Sequence, residues 1–164
     1  MVATDLSPME AKLVSDLPDD EGRQFEPKWD GFRALIFRQS DTVEIMSKSG
    51  KPLSRYFPEV VQVIREVGCP AFVLDGELIL PVGDVLSFDA LQARLHPAVS
   101  RVERLSRETP AQVMLLDCLM VDDQDLLNRP LAERRARLDA FHRFHGGPSI
   151  AQGAALHGLR RRLR

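Results

Sequence analysis

Two apolar runs, residues 71–80 and 112–121, constrain the fold of this 164-residue chain more than any other feature. Each run is dominated by aliphatic residues, and the first ends in a Pro-Val-Gly-Asp turn, as is typical of a buried β-strand. Both are much shorter than the roughly 20 apolar residues that a membrane-spanning helix requires. The runs therefore predict a water-soluble protein with a β-sheet at its centre.

The remaining periodicity predicts the elements around this sheet. Residues 32–37 and 42–46 are separated by a short polar segment, which indicates an antiparallel hairpin. Helical spacing of apolar residues predicts three helices, at residues 58–67, 87–95 and 130 to about 144. The order is strand pair, helix, strand, helix, strand, helix, with no parallel βαβ rhythm. This order predicts an α+β fold, with a mainly antiparallel sheet flanked by helices.

The length fits one domain, which we expect to span residues 1–145. Residues 1–24 are acidic and irregular, although a short apolar patch within them can form one helical turn. After the Gly-Gly-Pro sequence that begins at Gly146, no period is evident and the chain ends in a run of arginines. Residues 146–164 are therefore expected to form a disordered basic tail.

Cysteine, histidine and charge content give few further clues. Cys69 and Cys118 both lie beside apolar residues and are expected to be buried free thiols, and the four histidines show no metal-ligand spacing. With no apolar signal core, a cytoplasmic location is expected. Residues 1–90 carry 9 Lys/Arg against 16 Asp/Glu, and residues 91–164 carry 13 against 8. The basic half is either a footprint for a phosphate backbone or a set of solvated helix faces.

Residues 26–33, Glu-Pro-Lys-Trp-Asp-Gly-Phe-Arg, hold the strongest candidate for covalent chemistry. A lysine amine is a nucleophile only when it is deprotonated, and Lys28 lies beside a tryptophan and just before an apolar strand. Asp30 and Arg33 are close enough in sequence to orient polar ligand groups around it. Gly31 allows a close approach of the backbone. A solvated surface turn is the alternative interpretation of the same residues.

Three further segments carry polar residues in suggestive contexts. Residues 47–51, Ser-Lys-Ser-Gly-Lys, form a basic loop that includes Lys48. Residues 72–78 place Glu77 among apolar neighbours, where an unpaired carboxylate is costly to bury, so a site residue is favoured over a simple strand bulge. Residues 114–119 surround an aspartate with apolar residues in the same way.

Taken in order, these segments resemble the motifs of covalent nucleotidyltransferases, and most closely those of small bacterial ATP-dependent DNA ligases. The resemblance covers roughly residues 8 to 143. It implies an ATP-grasp-like nucleotidyltransferase fold, the adenylation domain of a DNA ligase. It also implies that Lys28 attacks the α-phosphate of ATP, expels pyrophosphate and carries AMP as a phosphoramidate. The AMP then passes to a DNA 5′-phosphate, and a 3′-hydroxyl displaces it to seal the nick.

The resemblance assigns roles to individual residues. Lys48 replaces the arginine that is usual in the second motif, Glu77 binds the ribose or helps to hold Mg²⁺, and Leu116 stands where an aromatic residue often stacks on adenine. Arg94 and Arg101 are expected to face DNA phosphates. ATP and Mg²⁺ are the implied cofactors. The nucleotide-binding residues that the resemblance implies are Glu26, Asp30, Gly31, Arg33, Lys48, Glu77 and Leu116.

Later family motifs do not follow. Such ligases continue with a Glu-Gly motif, a Lys-x-Lys motif and an OB-fold domain, whereas Lys51 is the last lysine here. We therefore expect an incomplete adenylation domain, monomeric, acting on nicked or broken double-stranded DNA, with end-joining repair proteins as possible partners. One alternative is a non-catalytic nucleotide- or DNA-binding remnant of a ligase. Another is a transferase of the capping or RNA-ligase type.

Overall fold

The computed structural model describes residues 6–18 and 23–153. Its strands are β1 (Phe32–Gln39), β2 (Thr42–Ser47), β3 (Ala71–Ile79), β4 (Pro81–Val82), β5 (Val85–Leu86), β6 (Gln112–Val121), β7 (Gln124–Asp125) and β8 (Ile150–Gln152). Its helices are α1 (Pro58–Glu66), α2 (Phe88–Gln92), α3 (Val99–Glu108) and α4 (Leu131–His145).

One six-stranded sheet organises the described chain. Five of its strands lie in the order β2-β1-β3-β6-β7. The sixth strand, β8, pairs with β6. Every pairing is antiparallel except that of β6 with β8, which is parallel. Strands β4 and β5 form a separate two-stranded hairpin. The predicted α+β fold with a mainly antiparallel sheet is confirmed.

The main hydrophobic core lies between one face of this sheet and the helices. Successive side chains of a strand point to opposite faces, so Phe72, Leu74 and Leu78 of β3 share the helix-covered face. Ile64 of α1 and Phe141 of α4 pack in the same core, and the rings of Phe72 and Phe141 meet edge to face at 5.0 Å. Each fully buried side chain of this size contributes roughly 1.5–3 kcal/mol. This face therefore supplies most of the hydrophobic stabilisation.

A bulge in β6 changes the alternation on the opposite face. Asp75 pairs in register with Asp117, but the next residue, Gly76, pairs with Leu115. Leu116 is consequently the extra residue of the bulge. A bulge of this kind re-aims side chains, and here it brings Leu116 and Asp117 to the same side of the sheet.

Two segments outside the predicted helices and strands form ordered elements. Residues 99–108, for which the sequence predicts no helix, form α3, which buries Val102. The prediction of a disordered tail from Gly146 is wrong for residues 150–152, which form β8. Ile150 is buried there because it completes the core beside β6. The arginine run at the end of the chain lies outside the described residues. Residues 6–18 include no helical turn.

Both cysteines are free and buried, as predicted. Burial raises the pKa of Cys118 to about 12, so this thiol stays neutral within the core. Across residues 6–18 and 23–153, no helix has the length and the apolar character needed to cross a bilayer.

Arg94 does not face DNA, which corrects the sequence prediction. Its side chain is 0% exposed, and its guanidinium forms an ion pair with Glu59 of α1 at 2.7 Å. The same guanidinium donates to the carbonyl oxygens of Tyr56 and Thr109 and lies over the ring of Phe57. Glu59 also accepts a hydrogen bond from a backbone amide just before β6. Arg94 therefore joins α1, the end of α3 and the segment after α2.

Replacing Arg94 by methionine should destabilise the fold strongly, because the carboxylate of Glu59 loses its buried counter-charge. We expect a loss of about 3–5 kcal/mol in the free energy of unfolding, measured by urea denaturation. The exposed Arg101 of α3 is the matched control, and Arg101→Met should change stability by less than about 0.5 kcal/mol. Similar losses of unfolding free energy in the two variants would show that the buried ion pair of Arg94 with Glu59 does not hold these elements together.

Candidate functional site

The sheet face opposite the main core, here called the site face, carries three of the predicted site residues, Arg33, Glu77 and Leu116. It consists of Arg33, Leu35 and Phe37 of β1, Val73, Asp75, Glu77 and Ile79 of β3, and Met114, Leu116, Asp117 and Leu119 of β6. Leu35, Phe37, Val73 and Leu119 form one apolar cluster, and Ile79, Met114 and Leu116 form another. The charged residues form a polar band between the two clusters.

Two ion pairs neutralise the buried carboxylates of this band. Arg33 donates from Nε and Nη2 to the two carboxylate oxygens of Asp75, at 2.7 and 2.6 Å. Arg134 of α4 donates from Nε to both oxygens of Asp117 at 3.0 Å. Because each guanidinium binds its carboxylate through two hydrogen bonds, the orientations are fixed. The guanidinium of Arg33 is thus used largely by Asp75, and this ion pair holds β1 against β3.

Glu77 is the carboxylate of the band without an arginine of its own. It lies opposite Arg33 in the β1–β3 register, and its carboxylate accepts a hydrogen bond from the backbone amide of Gly31. Burial raises the pKa of Glu77 above its ordinary value, and it outweighs the lowering effects of Arg33 and of that amide. An incompletely paired, partly buried carboxylate is typical of a ligand-binding position.

The loop that carries Lys28 is fastened to the site face through its neighbours. Trp29 packs against the apolar cluster of Ile79, Met114 and Leu116. A β-carbon on residue 31 would collide with the carbonyl oxygen of Leu78, so only glycine fits the position of Gly31. Lys28 itself is exposed and forms no hydrogen bond or ion pair with the described residues. Its amine is therefore available to a ligand.

The first two motifs meet in an open cavity of about 560 Å³ at the edge of the sheet. Its lining includes Gly31, Arg33, Ser47, Lys48, Ser49 and Lys51. A second open cavity, of about 540 Å³, lies between β7 and α4 and contains none of the predicted site residues.

The N-terminal segment lies across this region. The carbonyl oxygen of Met9 accepts a hydrogen bond from Arg33 at 2.9 Å. The sulfur atom of the Met9 side chain lies 3.2 Å from Nη2 of Arg134. Glu10 forms an ion pair with Lys48, and both side chains are more than half exposed. No local sequence pattern indicates these contacts, because the partners are more than 20 residues apart.

Glu26 is held by two residues that the sequence did not single out. Gln24 donates to Oε1 of Glu26 at 2.7 Å, and Nη1 of Arg135 lies 3.9 Å from the same oxygen. Arg135 is fixed in turn by Asp139 of its own helix at 3.1 Å and by the carbonyl oxygen of Gly153 at 2.6 Å. The first part of α4 therefore meets the Lys28 loop at Glu26, and Arg135 links it there to the end of β8.

The structure gathers most predicted residues but separates a few. Gly31, Arg33 and Lys48 share the cavity, and Glu77 is the cross-strand neighbour of Arg33. Asp30 is exposed at the start of β1, and Arg101 is exposed on α3. In the part of the chain that the structure describes, no group of three or more His, Cys, Asp and Glu residues is placed to hold a metal ion. The residues that sequence reasoning missed are Glu10, Glu59, Arg134 and Arg135.

Comparison with known proteins decides the family. A family model described as an ATP dependent DNA ligase domain matches residues 8–152, most of the chain. The chain belongs to the ATP-dependent DNA ligase family. DNA ligase C2 of Mycolicibacterium smegmatis is 44% identical over 149 residues, covering 88% of this chain and 42% of the relative. DNA ligase C of Mycobacterium tuberculosis is 47% identical over 133 residues, covering 81% of this chain and 37% of the relative.

A solved structure of this ligase family has the same fold. A mycobacterial DNA ligase D complexed with ATP and MES superposes with a TM-score of 0.64 at 25% identity, covering 82% of this chain and 40% of that chain. The ligase family is thus supported by sequence and by structure. The present chain spans about two fifths of the length of these relatives.

Substituting Glu77 with glutamine should stabilise the protein at neutral pH. The pKa of Glu77 in the folded protein lies above the unfolded value of about 4.3. The protonated Glu77 side chain therefore stabilises the fold fully below the unfolded pKa, and this stabilisation is lost as the pH rises through the folded pKa. Urea denaturation should therefore show Glu77→Gln to be more stable than the unchanged chain at pH 7–8, with the difference shrinking toward pH 4. The exposed Glu44 supplies the control, Glu44→Gln. A Glu77→Gln variant less stable at pH 7–8 would contradict this account.

Proposed function

We propose that this ligase-family chain carries out the first step of DNA ligation, the transfer of AMP from ATP to Lys28. The observation that carries the proposal is Lys28, which is exposed beside Trp29 and has no partner among the described residues. It lies on a loop that leads directly into the cavity lined by Gly31, Arg33 and Lys48. In this step the deprotonated Nζ attacks the α-phosphate, a P–N bond forms, and the bond to pyrophosphate breaks. The proton that the amine loses passes to solvent or to a neighbouring carboxylate.

The surrounding residues supply orientation and charge. Lys48 offers a cation at the cavity, although it lacks the two-pronged geometry of an arginine. Leu116, Met114 and Ile79 form a buried apolar cluster against which Trp29 packs, and this apolar part of the site suits the face of a purine. Glu26 and Glu77 provide acceptors for the base and the ribose. Asp30, which is exposed two residues after Lys28, is placed to orient polar groups around the amine.

A magnesium ion fits this site only together with the nucleotide. Mg²⁺ usually takes one or two carboxylates and completes its coordination with water and substrate phosphates. Glu77 is the carboxylate best placed for this role, because no arginine pairs with it directly. Bound Mg²⁺ would neutralise charge that develops on the phosphates.

The later steps belong to the complete ligase. We infer that AMP passes to the 5′-phosphate of nicked or broken double-stranded DNA, within the cytoplasm. Repair proteins that join DNA ends are the partners this reaction fits. Arg101, exposed on α3 near Arg104 and Arg107, is a candidate contact for the DNA backbone, whereas the buried Arg94 is not. We propose that residues 1–153 form part of the adenylation domain and that the chain acts as a monomer.

The first test is covalent labelling. The purified chain, incubated with Mg²⁺ and ATP labelled in the α-phosphate, should become radioactive, and ATP labelled in the γ-phosphate should leave it unlabelled. Lys28→Ala should abolish the label, because no other amine lies on the loop that leads into the cavity. Lys12→Ala, which removes an exposed lysine outside the motifs, is the matched control and should retain it.

The outcomes separate the competing functions. Binding of ATP without any label would support a non-catalytic, nucleotide-binding chain. Labelling by GTP in preference to ATP would support a transferase of the capping type, which the ligase-family match does not favour.

The ion pair of Glu10 with Lys48 competes with the nucleotide for the same cation. Exposed ion pairs are weak, so Glu10→Gln should tighten ATP binding only about two- to fivefold at low salt. Salt near 1 M should reduce this difference, since it screens the pair. Trp29 is the only tryptophan, and its fluorescence reports the titration. Glu44→Gln serves as the control, and equal or weaker ATP binding by Glu10→Gln would refute the competition.

A further inference from the structure

We propose that Arg135 of α4 is a positioning residue that sets the preference for adenine by fixing the carboxylate of Glu26. The inference rests on the proposed adenylation function, and it adds a residue to which no motif assigned a role. Arg135 lies at the end of the Asn-Arg-Pro-Leu-Ala-Glu-Arg-Arg segment, residues 128–135, in which Arg134 pairs with Asp117.

Arg135 is itself immobilised before it meets Glu26. Its side chain is only 13% exposed, and two acceptors hold it: Asp139, one turn further along α4, and the carbonyl oxygen of Gly153. Asp139 is held in turn by a hydrogen bond from Gln152 of β8. A guanidinium fixed on two sides presents its remaining nitrogen in a set direction, and that nitrogen, Nη1, lies nearest to Glu26.

The contacts to Glu26 are asymmetric. Gln24 and Arg135 both approach Oε1, whereas Oε2 accepts no hydrogen bond from the described residues. The Glu26 side chain is 25% exposed, so its charge is only partly screened by water. The hydrogen bond from Gln24 and the ion pair with Arg135 therefore both lie on the Oε1 side and leave Oε2 as the oxygen that faces a ligand.

The free oxygen discriminates between purines. An ionised carboxylate accepts hydrogen bonds and cannot donate them. Adenine carries a 6-amino donor where guanine carries a 6-oxo acceptor. An oxygen held toward that edge of the base favours ATP and repels GTP, but only while its orientation is fixed. A Glu26 that rotates freely accepts from solvent instead, and the preference for adenine weakens.

The alternative is that Arg135 only ties α4 to β8. In that case its removal weakens binding of both nucleotides to the same extent, or lowers stability alone. The ratio of ATP to GTP affinity separates the two roles, because a scaffold defect does not distinguish the bases.

The test measures dissociation constants for ATP and GTP through Trp29 fluorescence in four proteins: the unchanged chain, Arg135→Met, Glu26→Gln and the double variant. We expect Arg135→Met to reduce the preference for ATP over GTP about five- to tenfold, a change of the size typical of one ordinary hydrogen bond. In the Glu26→Gln background, Arg135→Met should change that preference by less than about twofold, because both residues act on one contact.

Two controls make the result specific. Arg137→Met removes a neighbouring arginine of α4 that contacts Gln124 instead, and it should leave the preference unchanged. Arg135→Lys keeps the positive charge and should restore part of the preference. Circular dichroism confirms that each variant is folded.

The outcomes distinguish this inference from the function it rests on. If the unchanged chain binds ATP selectively and Arg135→Met keeps the same preference, the positioning role is overturned while the proposed function stands. If Arg135→Met changes the preference equally with and without Glu26, Arg135 does not act through Glu26. If the unchanged chain binds neither nucleotide, the proposed function fails and this inference fails with it.

Discussion

Two carboxylates buried side by side determine much of this structure. Asp75 and Asp117 pair across the centre of the sheet, and each is almost inaccessible to water. Neighbouring carboxylates in such surroundings cannot both remain ionised without counter-charges. Arg33 supplies one from β1 and Arg134 supplies the other from α4. The hairpin, the two central strands and the last helix are therefore held in one arrangement by charge balance, in addition to apolar packing.

The two faces of the sheet have different roles: the helix-covered face stabilises the fold, and the site face carries residues of the proposed site. The helix-covered face is filled with aliphatic and aromatic side chains, and its buried ion pair, Arg94 with Glu59, is purely architectural. The site face carries Glu77, whose burial is unfavourable for the ionised form and is not balanced by an arginine of its own. Such groups persist where a ligand needs them, because removing them would improve stability at the expense of function. The hydrophobic core on the helix-covered face supplies enough stability to offset the unfavourable burial of Glu77.

Local chemistry made several features predictable. The apolar run of β3 indicated a buried strand, and the motif around Lys28 indicated a nucleotidyltransferase of the ligase family, as the family match bears out. Other features required long-range partners. The family resemblance predicts that Arg94 faces DNA phosphates, whereas Glu59, 35 residues earlier, draws it into the core. Helix α3 was missed because its single buried residue, Val102, gives too weak an apolar period.

The sequence by itself determined the four long strands, β1, β2, β3 and β6, the two main helices and the identity of the Lys28 motif, since these depend on periodicity and on residues close together in the chain. The tertiary structure alone decided which charges meet. The bulge at Leu116 places Asp117 opposite Asp75, and the packing of α4 brings Arg134 to that pair and Arg135 to Glu26. Ion pairs act over a few ångströms in space between residues that are distant in sequence, so no local pattern can record them.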